Sequence, residues 1–161
     1  MLLLGPDSQN AVDKLQSQGI KLWSVQSEQV ILPKELTSLD SDDLSDLFAR
    51  LTAWSDFVSH QLSAAQIDER SAEKRLDFSE SRLLVEKMGT SVKGERITLI
   101  KAQIAIDPTI SKLRDAVDEA YAYRKMIETV FYNLERDITL ISREITRRTN
   151  DNRSRKDRYS I

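Results

Sequence analysis

The ionisable side chains of this chain are numerous, but they lack the combinations that catalysis requires. The 161 residues include one histidine, His60, and no cysteine, so no second histidine or thiol can complete a catalytic group. No nucleotide-binding or zinc-protease signature is present. We therefore predict no catalytic residue, no metal site and no cofactor, and we expect the protein not to be an enzyme.

Acidic and basic residues interleave near the middle of the chain. Their spacing is that of ion pairs three and four residues apart on a solvated helix face, and the residues concerned are Asp68, Glu69, Arg70, Glu73, Lys74, Arg75 and Asp77. Ion pairing explains this pattern better than metal binding.

Basic residues that lie close to aromatic ones favour contact with nucleic acid. Proteins that bind single strands join a positive track to aromatic platforms on which bases stack. The candidate nucleic-acid-binding residues are Lys74, Arg75, Phe78, Arg147, Arg148, Arg153, Arg155, Lys156 and Arg158. A solvated helix face and a solubilising tail form the competing interpretation of the same residues.

Positive charge is concentrated at the end of the chain. Seven of the 24 Lys and Arg residues lie between Arg143 and Arg158, although the whole chain has a formal net charge of −2. The remainder is therefore acidic, and this asymmetry indicates a polyanion contact or a charge match between subunits.

The segment from Asp107 to about Arg148 predicts one long helix. Asp107 is a favourable N-cap, and Pro108 suits the first helical position. Positions at steps of three and four form one continuous seam, namely Ile110, Leu113, Val117, Ala120, Arg124, Ile127, Phe131, Leu134, Ile138, Ile141 and Ile145. Arg124 alone is charged there, and it either sets register or oligomeric state or extends its charge to solvent.

A second long helix is expected over residues 41–88, with Ser41 as its N-cap. Residues 89–94 form a loop with glycine at both ends, and a short helix with Ile97, Ile100 and Ile104 follows it. The two long helices would form an antiparallel hairpin or coiled-coil-like bundle. Because the second half of the 41–88 helix is poor in apolar residues, we expect the end of the long seam to pack between subunits of a homo-oligomer, through Ile127, Phe131, Leu134, Ile138, Ile141 and Ile145.

The whole chain is predicted to be mainly α, with a small αββ piece at residues 1–36. Its helix would begin at Asp7 or Ser8 and end at Gln18, with Gly19 as the C′ residue. Two short strands would follow, at Ile20, Leu22 and Trp23 and at Val30, Ile31 and Leu32, with the turn at residues 26–28. Residues 37–150 form the hairpin domain, and residues 151–161 a basic tail expected to be disordered.

No apolar run is long enough to cross a membrane, and no signal-peptide core is present. The absence of cysteine agrees with a reducing compartment. We expect a cytoplasmic protein without membrane contact.

Residues 44–148 contain, in order, an aromatic-bearing helix with Leu51-Thr-Ala-Trp54, a basic stretch, a glycine-containing loop, a short helix, a break at residues 105–108 and a long final helix. In this order of elements the chain resembles the UvsY recombination mediators of tailed bacteriophages, which implies the host bacterial cytoplasm if a phage encodes it. The family's basic segment ends in Arg-Leu-Asp and an aromatic residue, which Arg75-Leu76-Asp77-Phe78 matches. The family has a further basic residue two positions earlier, where this chain has Glu73.

The resemblance implies a helical ring-former that binds single-stranded DNA and helps to load a RecA-like recombinase in place of the single-strand-binding protein. The alternative is a helical structural or adaptor protein, such as a phage assembly or virion component, that acts only through protein–protein contacts. Binding of single-stranded oligonucleotides separates the two hypotheses.

Overall fold

The computed structural model describes residues 3–22, 29–90 and 97–158, with side chains for 3–22, 29–89 and 97–151. These residues contain four α-helices, α1 (Pro6–Ser17), α2 (Ser41–Thr90), α3 (Ile97–Ala105) and α4 (Pro108–Arg158), and one 3-10 turn, Leu36–Ser38. The prediction of a mainly α protein is confirmed. No described helix has the length and hydropathy of a membrane span.

The predicted αββ piece is wrong in its strands. Ile20, Leu22 and Val30–Leu32 adopt no strand, while Trp23 and the predicted turn at residues 26–28 lie outside the described residues. Ile31 is 79% exposed, while Val30 and Leu32 are half-buried, so this apolar run is only partly covered. Two strands alone are marginal in water without a layer that covers them.

The helix of that piece is present, and its C-terminal glycine was predicted correctly. Gly19 has a φ of +78°. Its N–H donates to the Gln16 carbonyl, and the Ile20 N–H donates to the Leu15 carbonyl, both at 3.0 Å. This pairing is the usual way in which glycine ends a helix.

The two long helices begin at acidic caps. Asp107 Oδ1 accepts from the backbone N–H of Thr109 at 2.8 Å and of Ile110 at 3.4 Å, as predicted for the N-cap of α4. At α2 the cap is Asp40 and not Ser41, because Asp40 Oδ1 accepts from the N–H groups of Asp42 and Asp43 at 2.9 and 2.8 Å. At its other end α4 continues to Arg158, through part of the predicted tail.

Contacts divide the chain into two compact units. The first unit contains Lys21–Leu62 and Ile127–Ile161, and the second contains Leu3–Ile20 and Ser63–Met126. In the first unit, segments of α2 and α4 run antiparallel, since the buried Ser55 hydroxyl donates to Glu135 at 3.3 Å and Leu44 shares a shallow groove with Ile145. The buried apolar residues of this unit are Leu44, Leu47, Leu51, Phe57, Val58, Leu134 and Ile141.

In the second unit, α3 packs against α2 and the start of α4. Ile100, Ile104 and Ile110 form a buried cluster, and half-buried leucines surround it, namely Leu76, Leu83, Leu84 and Leu113. The segments of α2 and α4 are again antiparallel, because Arg114 pairs with Glu80 and Arg124 with Glu69. This packing holds one face of α2 inward and leaves another face to solvent.

Candidate nucleic-acid interface

The solvent-facing side of α2 carries basic and aromatic side chains at every fourth position. Arg70, Lys74, Phe78 and Arg82 are all exposed, and Phe78 has a relative accessibility of 69%. Residues four apart on a helix are neighbours on one face. We call Lys74, Phe78 and Arg82 the basic–aromatic row.

The two cations of the row are open to a ligand. Among the residues that the structure describes, neither Lys74 nor Arg82 forms an ion pair, whereas Arg70 donates to Glu73 at 2.8 Å. That hydrogen bond raises the pKa of Arg70 and ties its guanidinium to its own helix. The row therefore offers an aromatic ring between two positive charges.

Acidic groups border the row at one end. Phe78 and Arg82 line a shallow groove in the second unit together with Ser79, Leu83, Glu86, Asp107 and Thr109. Backbone hydrogen bonds at the start of α4, mainly from Thr109, lower the pKa of Asp107 and so favour its ionised form. These carboxylates limit how far along α2 a polyanion can extend.

Arg75, the residue that carries the family motif, lies elsewhere on α2. Successive helix residues are about 100° apart around the axis, so Arg75 is turned away from Lys74. Its guanidinium lies 3.7 Å from the Asp7 carboxylate of α1, and both side chains are about half exposed. The structure therefore separates Arg75 from the row.

Two arginines predicted to bind DNA are engaged within the first unit. Arg148 donates to Glu144 at 2.8 Å and to the carbonyls of Leu39, Leu36 and Thr37 at 2.8, 3.1 and 3.3 Å. Arg147 donates to Glu144 and Asp151. Hydrogen bonds from Arg147 and Arg148 lower the pKa of Glu144 to about 2. Arg148 thus anchors the 3-10 turn to α4, a role that the sequence pattern did not reveal.

The four remaining basic candidates belong to the last turns of α4. Arg153, Arg155, Lys156 and Arg158 lie on helical backbone, but their side chains are outside the described residues. Their contact with DNA stays a prediction.

The residues predicted to form the oligomer interface are covered to different degrees in a single chain. Leu134 is buried and Ile141 is fully buried within the single chain, so the expectation that Ile141 packs between subunits is wrong. Ile127, Phe131, Ile138 and Ile145 are half-buried. The packing of α4 against α2 in the first unit covers this seam more completely than the apolar pattern of α2 predicted.

Sequence reasoning missed two features of this region. Arg82 was not among the predicted nucleic-acid-binding residues, although a spacing of four from Phe78 would have placed it in the row. The Glu69–Arg124 pair was also missed, although Arg124 is the one charged residue of the predicted α4 seam. Among the described residues, no group of three or more metal-binding side chains is present.

No protein-family model matches this chain, and neither the curated proteins nor the solved structures contain a match to it. Any functional conclusion therefore depends on its own residues and on the family resemblance described above.

Proposed function

We propose that this protein is an oligomeric single-stranded-DNA-binding recombination mediator that acts in the cytoplasm, which is that of the bacterial host if a phage encodes it. The observation that supports DNA binding is the basic–aromatic row on α2, where Phe78 is exposed between Lys74 and Arg82. Cations contact phosphates and the ring stacks on an unpaired base. Such a site has no means of reading base identity, so binding should be indifferent to sequence.

The loading of a RecA-like recombinase in place of the single-strand-binding protein follows from the resemblance to the UvsY mediators. Each subunit carries only a short basic–aromatic row. Self-association would raise the affinity for DNA, because several weak sites on one assembly bind one strand with much greater avidity than a single site does. A coiled-coil-like association of α4 segments would supply this assembly. Affinity should therefore increase with oligonucleotide length.

The test is a salt titration of binding to a labelled single-stranded oligonucleotide, followed by fluorescence anisotropy. Each phosphate neutralised on a single strand contributes about −0.7 to the slope of log K against log salt. Lys74→Ala combined with Arg82→Ala should therefore flatten the slope by roughly 1.4 per subunit engaged. Lys112→Ala, which removes an exposed charge of α4 outside the row, should change the slope little.

Phe78 tests the stacking part of the proposal. Stacking on an aromatic side chain is worth about 1–3 kcal/mol per base, so Phe78→Ala should weaken binding at least fivefold without changing the salt slope. Phe78→Trp should retain binding. An equal loss in Phe78→Ala and Phe78→Trp would exclude stacking.

The helical adaptor remains the second candidate function. It is favoured by Arg147 and Arg148, since both predicted DNA contacts are already bonded to groups of the same chain. If no single strand binds at low salt, the mediator proposal fails and the adaptor proposal is retained.

A further inference from the structure

Helix α1 is docked in the second unit by polar contacts, and none of its apolar side chains is fully buried. Asp68 of α2 accepts hydrogen bonds from the Gly5 N–H at 2.9 Å, the Ser8 N–H at 3.3 Å and the Ser8 hydroxyl at 2.9 Å. Ser8 is the one buried residue of α1, whereas its apolar residues Val12 and Leu15 are only half-buried. Asp68 therefore caps α1 in place of a side chain from α1 itself.

The contact between Gly5 and Asp68 leaves no space for a side chain at position 5. A Cβ atom on Gly5 would lie 2.5 Å from Asp68 Oδ1, so even alanine at this position must displace the carboxylate. A helix of 12 residues is marginal in water by itself. Loss of the Asp68 contacts should therefore both undock and unfold α1, in an opening that leaves the rest of the unit intact.

Docked α1 brings an acid to the motif arginine. Asp7 lies in the first turn of α1, and its carboxylate is 3.7 Å from the Arg75 guanidinium. Arg75 and Asp68 also line one groove with Gly5, Pro6, Ala72 and Tyr123. Carboxylate and phosphate oxygens both accept hydrogen bonds from a guanidinium, so Asp7 and a DNA phosphate compete for the same group.

We propose that α1 is an intramolecular competitor of DNA for Arg75. Docked α1 occupies Arg75 through the Asp7 carboxylate, and undocked α1 releases Arg75 for a phosphate contact. The proposal rests on the single-stranded-DNA binding proposed above and adds a regulated contact to it. Exposed ion pairs are weak, so the competitor tunes affinity and does not abolish it. The basic–aromatic row binds in either state.

The first experiment undocks α1 without changing charge. In the two variants Gly5→Ala and Ser8→Ala, hydrogen exchange of the α1 amides should accelerate because α1 undocks. Affinity for a labelled single strand at low salt should rise by a factor of roughly 2–5. The salt slope should steepen by about 0.7 per subunit for the additional phosphate contact. Asn10→Ala, at an exposed α1 position, is the matched control and should change neither property.

The second experiment removes the competing charge while α1 stays docked. Asp7→Asn should raise affinity, and it should do so more than Asp13→Asn, which makes the same charge change at an exposed position of the same helix. All these gains must disappear in an Arg75→Ala background, because the released contact no longer exists there.

The outcomes separate the two proposals. If no variant and no wild-type protein binds single strands at low salt, the proposed function and the competitor both fail. If the wild type binds but undocking leaves its affinity unchanged, or the gain persists without Arg75, only the competitor is overturned.

Discussion

Glu69 and Arg124 place opposite charges in the seams of α2 and α4, inside the second unit. Their side chains are 13% and 15% exposed, and the guanidinium donates to both carboxylate oxygens. It also lies over the Tyr121 ring, 5.2 Å from the centroid. Arg124 thus neutralises Glu69 across the helix pair, and this contact favours the register-setting interpretation over extension into solvent.

Removing one member of this pair should destabilise the protein more than removing both. Arg124→Leu leaves a largely buried carboxylate without its main partner, at a cost of about 3–5 kcal/mol. Glu69→Leu combined with Arg124→Leu should recover most of that loss, because two apolar side chains then meet in the seam. Urea unfolding followed by circular dichroism measures both values. A double variant as unstable as Arg124→Leu would contradict this account.

Side-chain roles that depend on distant partners were not predictable from spacing. Arg148 was predicted to contact DNA because it lies in a basic segment, yet it bonds carbonyls more than 100 residues earlier in the chain. Asp68 looked like a member of a solvated ion-pair pattern, yet it caps α1. Charge patterns identify where cations and anions occur, but tertiary packing decides which of them remain available.

At the scale of elements, the long helices were predictable and the strands were not. The α4 start at Pro108 followed from its cap and from an unbroken apolar repeat, which are local signals. The α2 helix was also predicted, but its cap is Asp40 and it continues through Gly89, which was predicted to lie in a loop. The apolar runs near Ile20 and Ile31 are short, and β propensity depends strongly on what covers the strand. Nothing within such a run indicates whether a covering layer exists.

The last described turns of α4 should respond to acid through Glu144. Its pKa in the folded protein is about 2, below its ordinary value of 4.5. Its stabilising effect is therefore complete above pH 4.5 and is lost as the pH falls toward 2. The difference in melting temperature between wild type and Glu144→Gln should shrink over this range. Glu119→Gln, which alters an exposed acid of the same helix, is the control, and a pH-independent difference for Glu144→Gln would refute the assignment.

At the scale of the whole molecule, self-association is the property that the proposed function needs. Exposed apolar residues of α4 in the first unit include Val130 at 40% and Leu140 at 41% accessibility. Val130→Asp should lower the mass measured by light scattering with little change in melting temperature. Ile141→Asp, at a fully buried position, should lower the melting temperature instead, because it places a charge in the core. A wild-type monomer at micromolar concentration would contradict the oligomer.

Because Arg148 holds the 3-10 turn through several hydrogen bonds, the rate of proteolysis beside this turn should depend on Arg148. Lys34 precedes the turn and is exposed, but a protease must pull the neighbouring backbone into an extended form before it can cleave there. Arg148→Lys keeps the charge and loses the planar fork that reaches several carbonyls at once, so tryptic cleavage after Lys34 should accelerate. Arg143→Lys, at an exposed position of the same helix, should leave the rate unchanged. The rate at which trypsin cleaves residues 34–40 would then measure how firmly the Arg148 guanidinium holds the segment before α2 against α4.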